Sequence, residues 1–188
     1  PEHYDDFIGE MEVNNNSIPL VYRMKQARLL FQHTSDYDRM ISNHFGESLG
    51  SGFKEEEYPE ILSLNLRKEV DLRYGENPHQ KGALYKDYSF RNSLIDAEKI
   101  SGKEMSYNNW MDADGAVSVV REFEIPAVSI VKHAAPCGVG TGESINEAFN
   151  KAYITDPVSS FGGIIAANRK IDFQTANEIT SSFFEVII

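Results

Sequence analysis

The chain has 188 residues, of which 41% are hydrophobic and 11% aromatic, and this composition is typical of a globular protein rather than a disordered one. A formal net charge of -11 argues against a nucleic-acid partner, which would require a basic face. The single cysteine, Cys137, excludes an intrachain disulfide and supplies too few thiolates for the usual structural zinc sites. We therefore predict no metal in this chain.

The sequence contains no apolar run close to the roughly 20 residues that span a bilayer, and its N-terminus lacks the pattern of a signal peptide. We therefore expect a soluble, cytoplasmic protein with no membrane partner. The chain begins without methionine and ends in the apolar run 185–188, which is more typical of a strand that continues. From this we expect a fragment of a longer protein.

Residues 17–45 carry apolar side chains at helical spacing. They form two stripes: Leu20, Met24, Ala27 and Phe31, and then Tyr37, Ile41 and Phe45. Because Thr34-Ser35 between the stripes offers an N-cap, we predict two helices. A glycine-rich and then charged segment follows from residue 46. We place a linker at residues 46–70, between an N-terminal helical part at 1–45 and a second domain at 71–188.

Strand and helix patterns alternate in the second domain. The predicted strands are 83–85, 127–131, 163–168 and the apolar chain end. The predicted helices begin after the N-caps Asn109, Ser144 and Asp172, with Glu147 completing a capping box, and extend to about residues 123, 153 and 182. This alternation predicts an α/β fold, in which helices are layered on a largely parallel or mixed sheet.

A buried strand, 127–131, runs into Lys132 and His133. A lysine supplies positive charge for a developing oxyanion, and a histidine can exchange a proton near neutral pH. The pair therefore suits acyl transfer. A lysine at a strand end beside a packed histidine explains the same two residues, so the dipeptide alone does not decide.

Three further segments carry polar side chains beside glycine or at a helix start. Arg73 lies in the loop 72–80, where its planar guanidinium suits phosphate or carboxylate, although a polar turn explains the same residues. Asn109 can cap a helix or bind a ligand, and capping is the favoured interpretation. Residues 156–163 combine serines with paired glycines, which suit either a phosphate or a tight turn. Lys132 and Arg169 are further candidates for binding a small anion.

Four motifs follow one another along the chain: LRYGENPHQ (72–80), SYNNWMDAD (106–114), VKHAAPCGVG (131–140) and DPVSSFGGIIAANR (156–169). In this order they resemble the bifunctional purine biosynthesis family, aminoimidazole carboxamide ribotide (AICAR) transformylase/IMP cyclohydrolase. Residues 27–45, with QHTSDYDRMI at 32–41, look like the closing helices of the family's N-terminal cyclohydrolase domain. The resemblance covers essentially the whole chain.

The resemblance implies an enzyme that moves a formyl group from 10-formyltetrahydrofolate, as co-substrate, onto the 5-amino group of AICAR, after which the cyclohydrolase closes the ring to IMP. Lys132 and His133 match the family's catalytic pair. We assign proton handling to His133. Lys132 is assigned electrostatic stabilisation and is also able to assist proton transfer.

The same carry-over implies a set of substrate-binding residues. These are Arg73 and Tyr74 at the nucleotide, Asn109 at the substrate, Phe161 and Gly162 beside the heterocycle, and Glu185 at the ribose. Some family members have aspartate where this chain has Glu185, so the carboxylate's reach differs here.

The family also implies a cytidine-deaminase-like fold for the first transformylase subdomain and a homodimer with shared active sites. Residues 1–45 would then end the cyclohydrolase domain, and residues 71–188 would begin the transformylase region. Because most folate contacts and the cyclohydrolase site lie outside the chain, we expect this polypeptide alone to be inactive.

Two other interpretations stay open. One is a structural or assembly piece, which would not bind AICAR. The other is a zinc deaminase, whose H-x-E and P-C-x-x-C spacing the sequence does not meet, because Ala135 and Gly140 stand where the glutamate and second cysteine belong.

Overall fold

A computed structural model describes residues 3–48, 64–88 and 92–188. The chain divides into two compact units, Pro1–Asn65 and Leu66–Ile188. The predicted domain boundaries stay predictions, and most of the predicted linker, residues 49–63, lies outside the described residues. Within the described residues, no helix has both the length and the hydropathy needed to cross a membrane.

The first unit contains two helices, α1 (Tyr4–Val13) and α2 (Leu20–Ser48). The rings of Phe7 and Tyr22 bring them together, with centroids 6.3 Å apart. The prediction of two helices within residues 17–45 is wrong, because α2 is continuous through Thr34-Ser35. The Thr34 hydroxyl donates to the Phe31 carbonyl at 3.2 Å, and a hydroxyl satisfied in this way is tolerated inside a helix.

The second unit begins with an antiparallel hairpin of β1 (Leu66–Asp71) and β2 (Ala83–Asp87). The first strand begins inside the predicted linker and ends at Asp71, the first residue of the predicted second domain. The second strand confirms the strand predicted from residue 83. A short 3-10 helix, Leu94–Asp96, follows.

The rest of this unit is a mixed four-stranded sheet covered by helices. Its elements are α3 (Tyr107–Arg121), β3 (Ala127–Lys132), β4 (Ala135–Thr141), α4 (Ile145–Thr155), α5 (Pro157–Ser160), β5 (Ile164–Ala167), α6 (Phe173–Ile179) and β6 (Val186–Ile187). The strand order is β4-β3-β5-β6. The strand β3 is antiparallel to both neighbours, and β5 is parallel to β6. The predicted α/β class is therefore confirmed. Of the two predicted sheet types, largely parallel or mixed, the sheet is the mixed one.

Alternate residues of the strands face two separate apolar clusters. Val128, Ile130 and Ile165 pack with residues of α4 and with Ile179 of α6. Val131 and Ile164, with Ala166, pack instead with residues of α3. The sheet therefore lies between α3 on one face and α4 with α6 on the other. Side chains that alternate between the two faces with a period of two are expected for strands buried on both sides.

Two of the three predicted N-caps are confirmed. Ser144 and Asp172 begin α4 and α6 by accepting from the backbone N–H groups of Glu147 and Thr175. The predicted capping box is only half formed, because the Glu147 carboxylate accepts from the Glu143 N–H at 2.9 Å and not from the N–H of Ser144.

The prediction that Asn109 is an N-cap is wrong. The N-cap of α3 is Ser106, and Asn109 is the third residue of the helix. The two residues form a capping box, in which the Asn109 amide oxygen accepts from the Ser106 backbone N–H at 3.0 Å and the Ser106 hydroxyl accepts from the Asn109 N–H at 3.2 Å. Asparagine replaces the usual glutamate or glutamine here.

Candidate active site at one edge of the sheet

Three segments meet at one edge of the four-stranded sheet. Because β3 and β5 are antiparallel, the end of β3 lies beside the start of β5. Because β5 and β6 are parallel, the start of β6 lies at the same edge. The sheet thus brings Lys132, the residues before Ile164 and those before Val186 to one place, although they are far apart in sequence.

Lys132 is fixed by the loop that enters β5. Its ammonium donates to the Phe161 carbonyl at 2.6 Å. Gly162, with a φ of +73°, follows directly, and a side chain added there would lie 4.0 Å from the Lys132 nitrogen. The Gly162 N–H donates to the Phe183 carbonyl at 2.8 Å, and the rings of Phe161 and Phe183 lie 5.6 Å apart. The predicted residues Lys132, Phe161 and Gly162 therefore form one cluster.

The loop that carries Phe161 begins at the short helix α5, which Asp156 caps. The Asp156 carboxylate accepts from the Ser159 hydroxyl at 2.6 Å and from the Ser159 N–H at 2.9 Å. These hydrogen bonds lower the pKa of Asp156, the hydroxyl contributing most. The serines of this segment thus hold the turn, as one of the two interpretations predicted.

A second cluster joins Arg73, Asn109 and Glu185. Arg73 donates to the Asn109 amide oxygen at 3.4 Å, and the Asn109 amide nitrogen donates to the Glu185 carboxylate at 2.5 Å. Tyr74 lies beside them, with the Arg73 guanidinium 5.4 Å from the centre of its ring. Asn109 is buried at 8% exposure, whereas Arg73 and Glu185 are exposed. The buried amide therefore orients one cationic and one anionic side chain toward solvent.

His133 lies beyond the end of β3, in a two-residue turn that leads into β4. Its side chain is exposed. The backbone N–H groups of His133 and Ala134 both donate to the carboxylate of Asp112, at 3.1 and 2.6 Å. Asp112 is 9% exposed and lies one turn after Asn109 on α3. Its contact with the turn was missed from the sequence, although its spacing of three from Asn109 places both on one face of a helix.

The edge thus offers three kinds of chemistry. Arg73 provides a charge-assisted donor for an anion, and Glu185 provides acceptors for hydroxyl groups. Lys132 provides a fixed positive charge, and the next residue, His133, has an exposed imidazole. The pair suits a reaction that develops an oxyanion and moves a proton.

The chain is similar to the proteins of one known family. The family model described as AICARFT/IMPCHase bienzyme matches residues 1–188. The chain belongs to this family. A curated relative, the bifunctional purine biosynthesis protein PurH of Bacillus cereus strain AH187, is 49% identical over 189 residues, covering 100% of this chain and 36% of the relative. The proteins of the same name from Bacillus thuringiensis strain Al Hakam and Bacillus cereus strain B4264 are 49% and 48% identical with the same coverage.

This AICARFT/IMPCHase chain spans about 36% of the length of the curated relatives it matches. The family match over residues 1–188 and the 49% identity to a curated relative confirm the resemblance to the bifunctional purine biosynthesis family. The roles of the individual site residues stay predictions, which the arrangement at the sheet edge makes testable.

Two other residues named in the sequence analysis, Arg169 and Cys137, donate hydrogen bonds to backbone carbonyls. Arg169 follows β5 and so lies at the opposite edge of the sheet, where it donates to the backbone carbonyls of Asn168 and Glu124. Cys137 donates to the Ile130 carbonyl at 3.4 Å. Among residues 3–48, 64–88 and 92–188, no three His, Cys, Asp or Glu side chains lie close enough to hold a metal ion.

The loop at residues 72–80 is largely closed on itself. The Gln80 side chain accepts from the Asn77 N–H at 2.9 Å, and the Gly75 N–H donates to the Gln80 carbonyl at 2.8 Å. A side chain on Gly75 would lie 2.9 Å from the Gln80 Cβ, so glycine is required there by the close approach. The alternative of a polar turn thus describes Asn77 and Gln80, while Arg73 extends from the turn to the site.

Proposed function

We propose that this sequence is part of an enzyme that transfers the formyl group of 10-formyltetrahydrofolate to the 5-amino group of AICAR in de novo purine biosynthesis. IMP cyclohydrolase is the second activity of the same protein. The observation that carries the proposal is the meeting of the Lys132–Phe161 cluster and the Arg73–Asn109–Glu185 cluster at one sheet edge. Because the chain spans about 36% of its relatives, the activity is proposed for a protein of the relatives' length.

The reaction needs help at two points. The amine of AICAR is a poor nucleophile, because its lone pair is delocalised toward the neighbouring carboxamide. As its nitrogen bonds to the formyl carbon, the formyl oxygen gains negative charge and the amine must lose a proton. The bond from the formyl carbon to the folate nitrogen then breaks, and that nitrogen takes up a proton.

The two residues at the end of β3 match these requirements. His133, whose imidazole is exposed, accepts the amine proton. The ammonium of Lys132 has three N–H donors, of which the Phe161 carbonyl takes one and the developing oxyanion can take another. Because the Phe161 carbonyl fixes the ammonium in advance, little reorganisation is needed as charge develops.

The second cluster is proposed to hold the nucleotide. Arg73 binds its phosphate and Tyr74 lies beside it, while Glu185 accepts hydrogen bonds from the ribose hydroxyl groups. The Asn109 side chain contacts the substrate and joins the two charged residues. Phe161 and Gly162 border the heterocycle, where the absence of a side chain on Gly162 leaves room.

The test is the turnover of an enzyme of the relatives' length that carries this sequence, measured as the release of tetrahydrofolate. Lys132→Met and His133→Ala should each lower turnover by at least about a hundredfold. AICAR affinity should change much less. Lys170→Met is the matched control, because Lys170 is exposed and follows β5 at the opposite edge of the sheet. Near-normal turnover in either site variant would refute its assigned role.

The finer structural assignments are proposals as well. Residues 1–45 would end the cyclohydrolase domain and residues 71–188 would begin the transformylase region, as a cytidine-deaminase-like subdomain in a cytoplasmic homodimer. The subdomain assignment is supported by the mixed sheet and by the element order from α3 onward, which is helix, hairpin, helix, the short helix α5, strand, helix and strand. Elemental analysis tests the proposed formyl transfer against the alternative of a zinc deaminase: about one zinc per chain, lost in Cys137→Ala, would favour the deaminase.

A further inference from the structure

The turn that carries His133 has an unusual backbone. The φ angles of His133 and Ala134 are 55° and 62°, both in the left-handed region that favours glycine. Lys132 pairs with Ala135, so these two residues form the whole connection between β3 and β4. Two-residue hairpin turns with this geometry usually contain asparagine, aspartate or glycine. A histidine followed by alanine therefore needs support from its surroundings to keep this conformation.

One buried carboxylate provides such support. The Asp112 Oδ2 accepts from the His133 N–H at 3.1 Å, and Oδ1 accepts from the Ala134 N–H at 2.6 Å. Asp112 is 9% exposed, and its neighbours on α3, Ala113 and Ala116, are fully buried against the sheet. The packing of α3 thus fixes the carboxylate, and the carboxylate holds both N–H groups of the turn.

We propose that Asp112 is a positioning residue, which keeps the left-handed turn closed and so fixes His133 in its place directly after Lys132. Its kinetic consequence rests on the formyl transfer proposed above. Asp112 acts through the backbone and does not touch the substrate. Both of its oxygens are needed, because each accepts from a different N–H. Asparagine keeps the size but has one oxygen and places an NH₂ group against the second N–H.

The kinetic test uses Asp112→Asn in an enzyme of the relatives' length. Turnover should fall about 10- to 100-fold, the scale for a reacting group displaced by about an ångström. The KM for AICAR should stay within about twofold of the parent, because the Arg73–Asn109–Glu185 cluster is unchanged. Asp114→Asn is the control, since Asp114 loses the same charge from an exposed position two residues along α3. Turnover within about twofold of the parent in Asp112→Asn would overturn the proposal.

A rescue variant separates positioning from a direct chemical role. Glycine adopts the left-handed conformation readily, so Ala134→Gly restores part of the turn's stability without a carboxylate. In the Asp112→Asn background it should recover turnover by about fivefold, while in the parent enzyme it should change little. A loss of turnover that Ala134→Gly does not relieve would mean that the carboxylate acts on the reacting groups themselves, and the proposal would be wrong.

An activity-independent measurement tests the turn in the 188-residue chain. Amide exchange followed by NMR should be at least about tenfold faster at His133 and Ala134 in Asp112→Asn, while Val128 and Ile130 in the middle of β3 keep their rates. Unchanged exchange at both turn amides would overturn the proposal. If the parent enzyme fails to transfer formyl groups, the proposed function fails, and the exchange result still decides whether Asp112 holds the turn.

Discussion

The two faces of the main sheet are built differently. On the α4 face, glycines on β4 let the helix backbone come into direct contact with the strand. A side chain added at Gly138 would lie 2.0 Å from the Ala152 carbonyl oxygen, and one at Gly140 would lie 2.2 Å from that of Ala148. At these two positions α4 leaves no space for a methyl group, and the cluster on this face is apolar apart from the thiol of Cys137 and the hydroxyl of Tyr153.

On the α3 face, polar side chains are buried among the apolar ones. Asn109, Asp112 and Ser129 all lie at or below 9% exposure, and each has hydrogen-bond partners. Two of these three bind segments at the candidate site. The two faces therefore differ in role. Close packing on the α4 face holds the strands, and buried polar groups on the α3 face orient the loops at the ends of the strands.

The largest expected effect tests the close packing of the α4 face. Gly138→Ala places its methyl carbon 2.0 Å from the Ala152 carbonyl oxygen, well inside van der Waals contact distance, so α4 must move. We expect a loss of about 3 kcal/mol or more of unfolding free energy, measured by urea denaturation. Gly115→Ala on α3 is the matched control, because its methyl group would meet Val131 at an ordinary 3.8 Å.

Inside a helix, alanine is favoured over glycine, so Gly115→Ala should stabilise the chain by about 0.5 to 1 kcal/mol. Similar stabilities for the two alanine variants would show that α4 does not lie as close to β4 as described, and the contrast between the faces would be lost.

The next prediction concerns the charged side chain that the α3 face orients. Arg73→Ala should weaken AICAR binding by about 1.5 to 3 kcal/mol in an enzyme of the relatives' length, because a charge-assisted hydrogen bond to an anion is removed. Calorimetry measures this directly. Arg121→Ala is the control, since Arg121 lies at the other end of α3 and donates to the Asn92 carbonyl. Equal affinities in the two variants would limit Arg73 to a structural role.

A smaller effect is expected from a buried polar contact away from the site. The Ser129 hydroxyl donates to the Ala116 carbonyl at 2.7 Å and is fully buried between β3 and α3. Ser129→Ala should cost about 1 kcal/mol of unfolding free energy. Ser118→Ala, at an exposed position on α3, should stay within about 0.5 kcal/mol of the parent. A neutral Ser129→Ala would mean that this face gains no stability from its polar contact.

The sequence predicted the elements whose signal is local. The apolar runs gave the positions of β3 and β5, and the caps Ser144 and Asp172 marked helix starts, because these patterns depend on neighbouring residues. The strand β4 was missed: Pro136, Gly138 and Gly140 disfavour a strand by propensity. They are tolerated because β4 is at the end of the strand order and because α4 requires glycine there.

The candidate site was predictable as a set of residues through the family motifs, but its contacts were not. The bond between Asn109 and Glu185 joins residues 76 positions apart, and the bonds from His133 and Ala134 to Asp112 span more than 20. Such contacts follow from strand order, which no local pattern encodes. Ser106 as the N-cap was the exception, since serine three residues before asparagine is a local signal that could have been recognised.

The smallest expected effect returns to the α4 face and depends on pH. Asp172 caps α6, and the hydrogen bond from the Thr175 backbone N–H lowers the pKa of Asp172 below its usual 3.8. A carboxylate with a lowered folded-state pKa contributes stability above its unfolded-state value, and this contribution disappears as the pH falls through the folded-state value. Asp172→Asn keeps a good cap but cannot titrate. Below about pH 4, the unfolding free energy of Asp172→Asn should therefore fall less steeply than that of the parent, while near neutral pH it should be the slightly less stable of the two. Urea midpoints of both proteins along the acid range measure the difference. If the two sets of midpoints change in parallel with pH, Asp172 does not contribute to the pH dependence of stability.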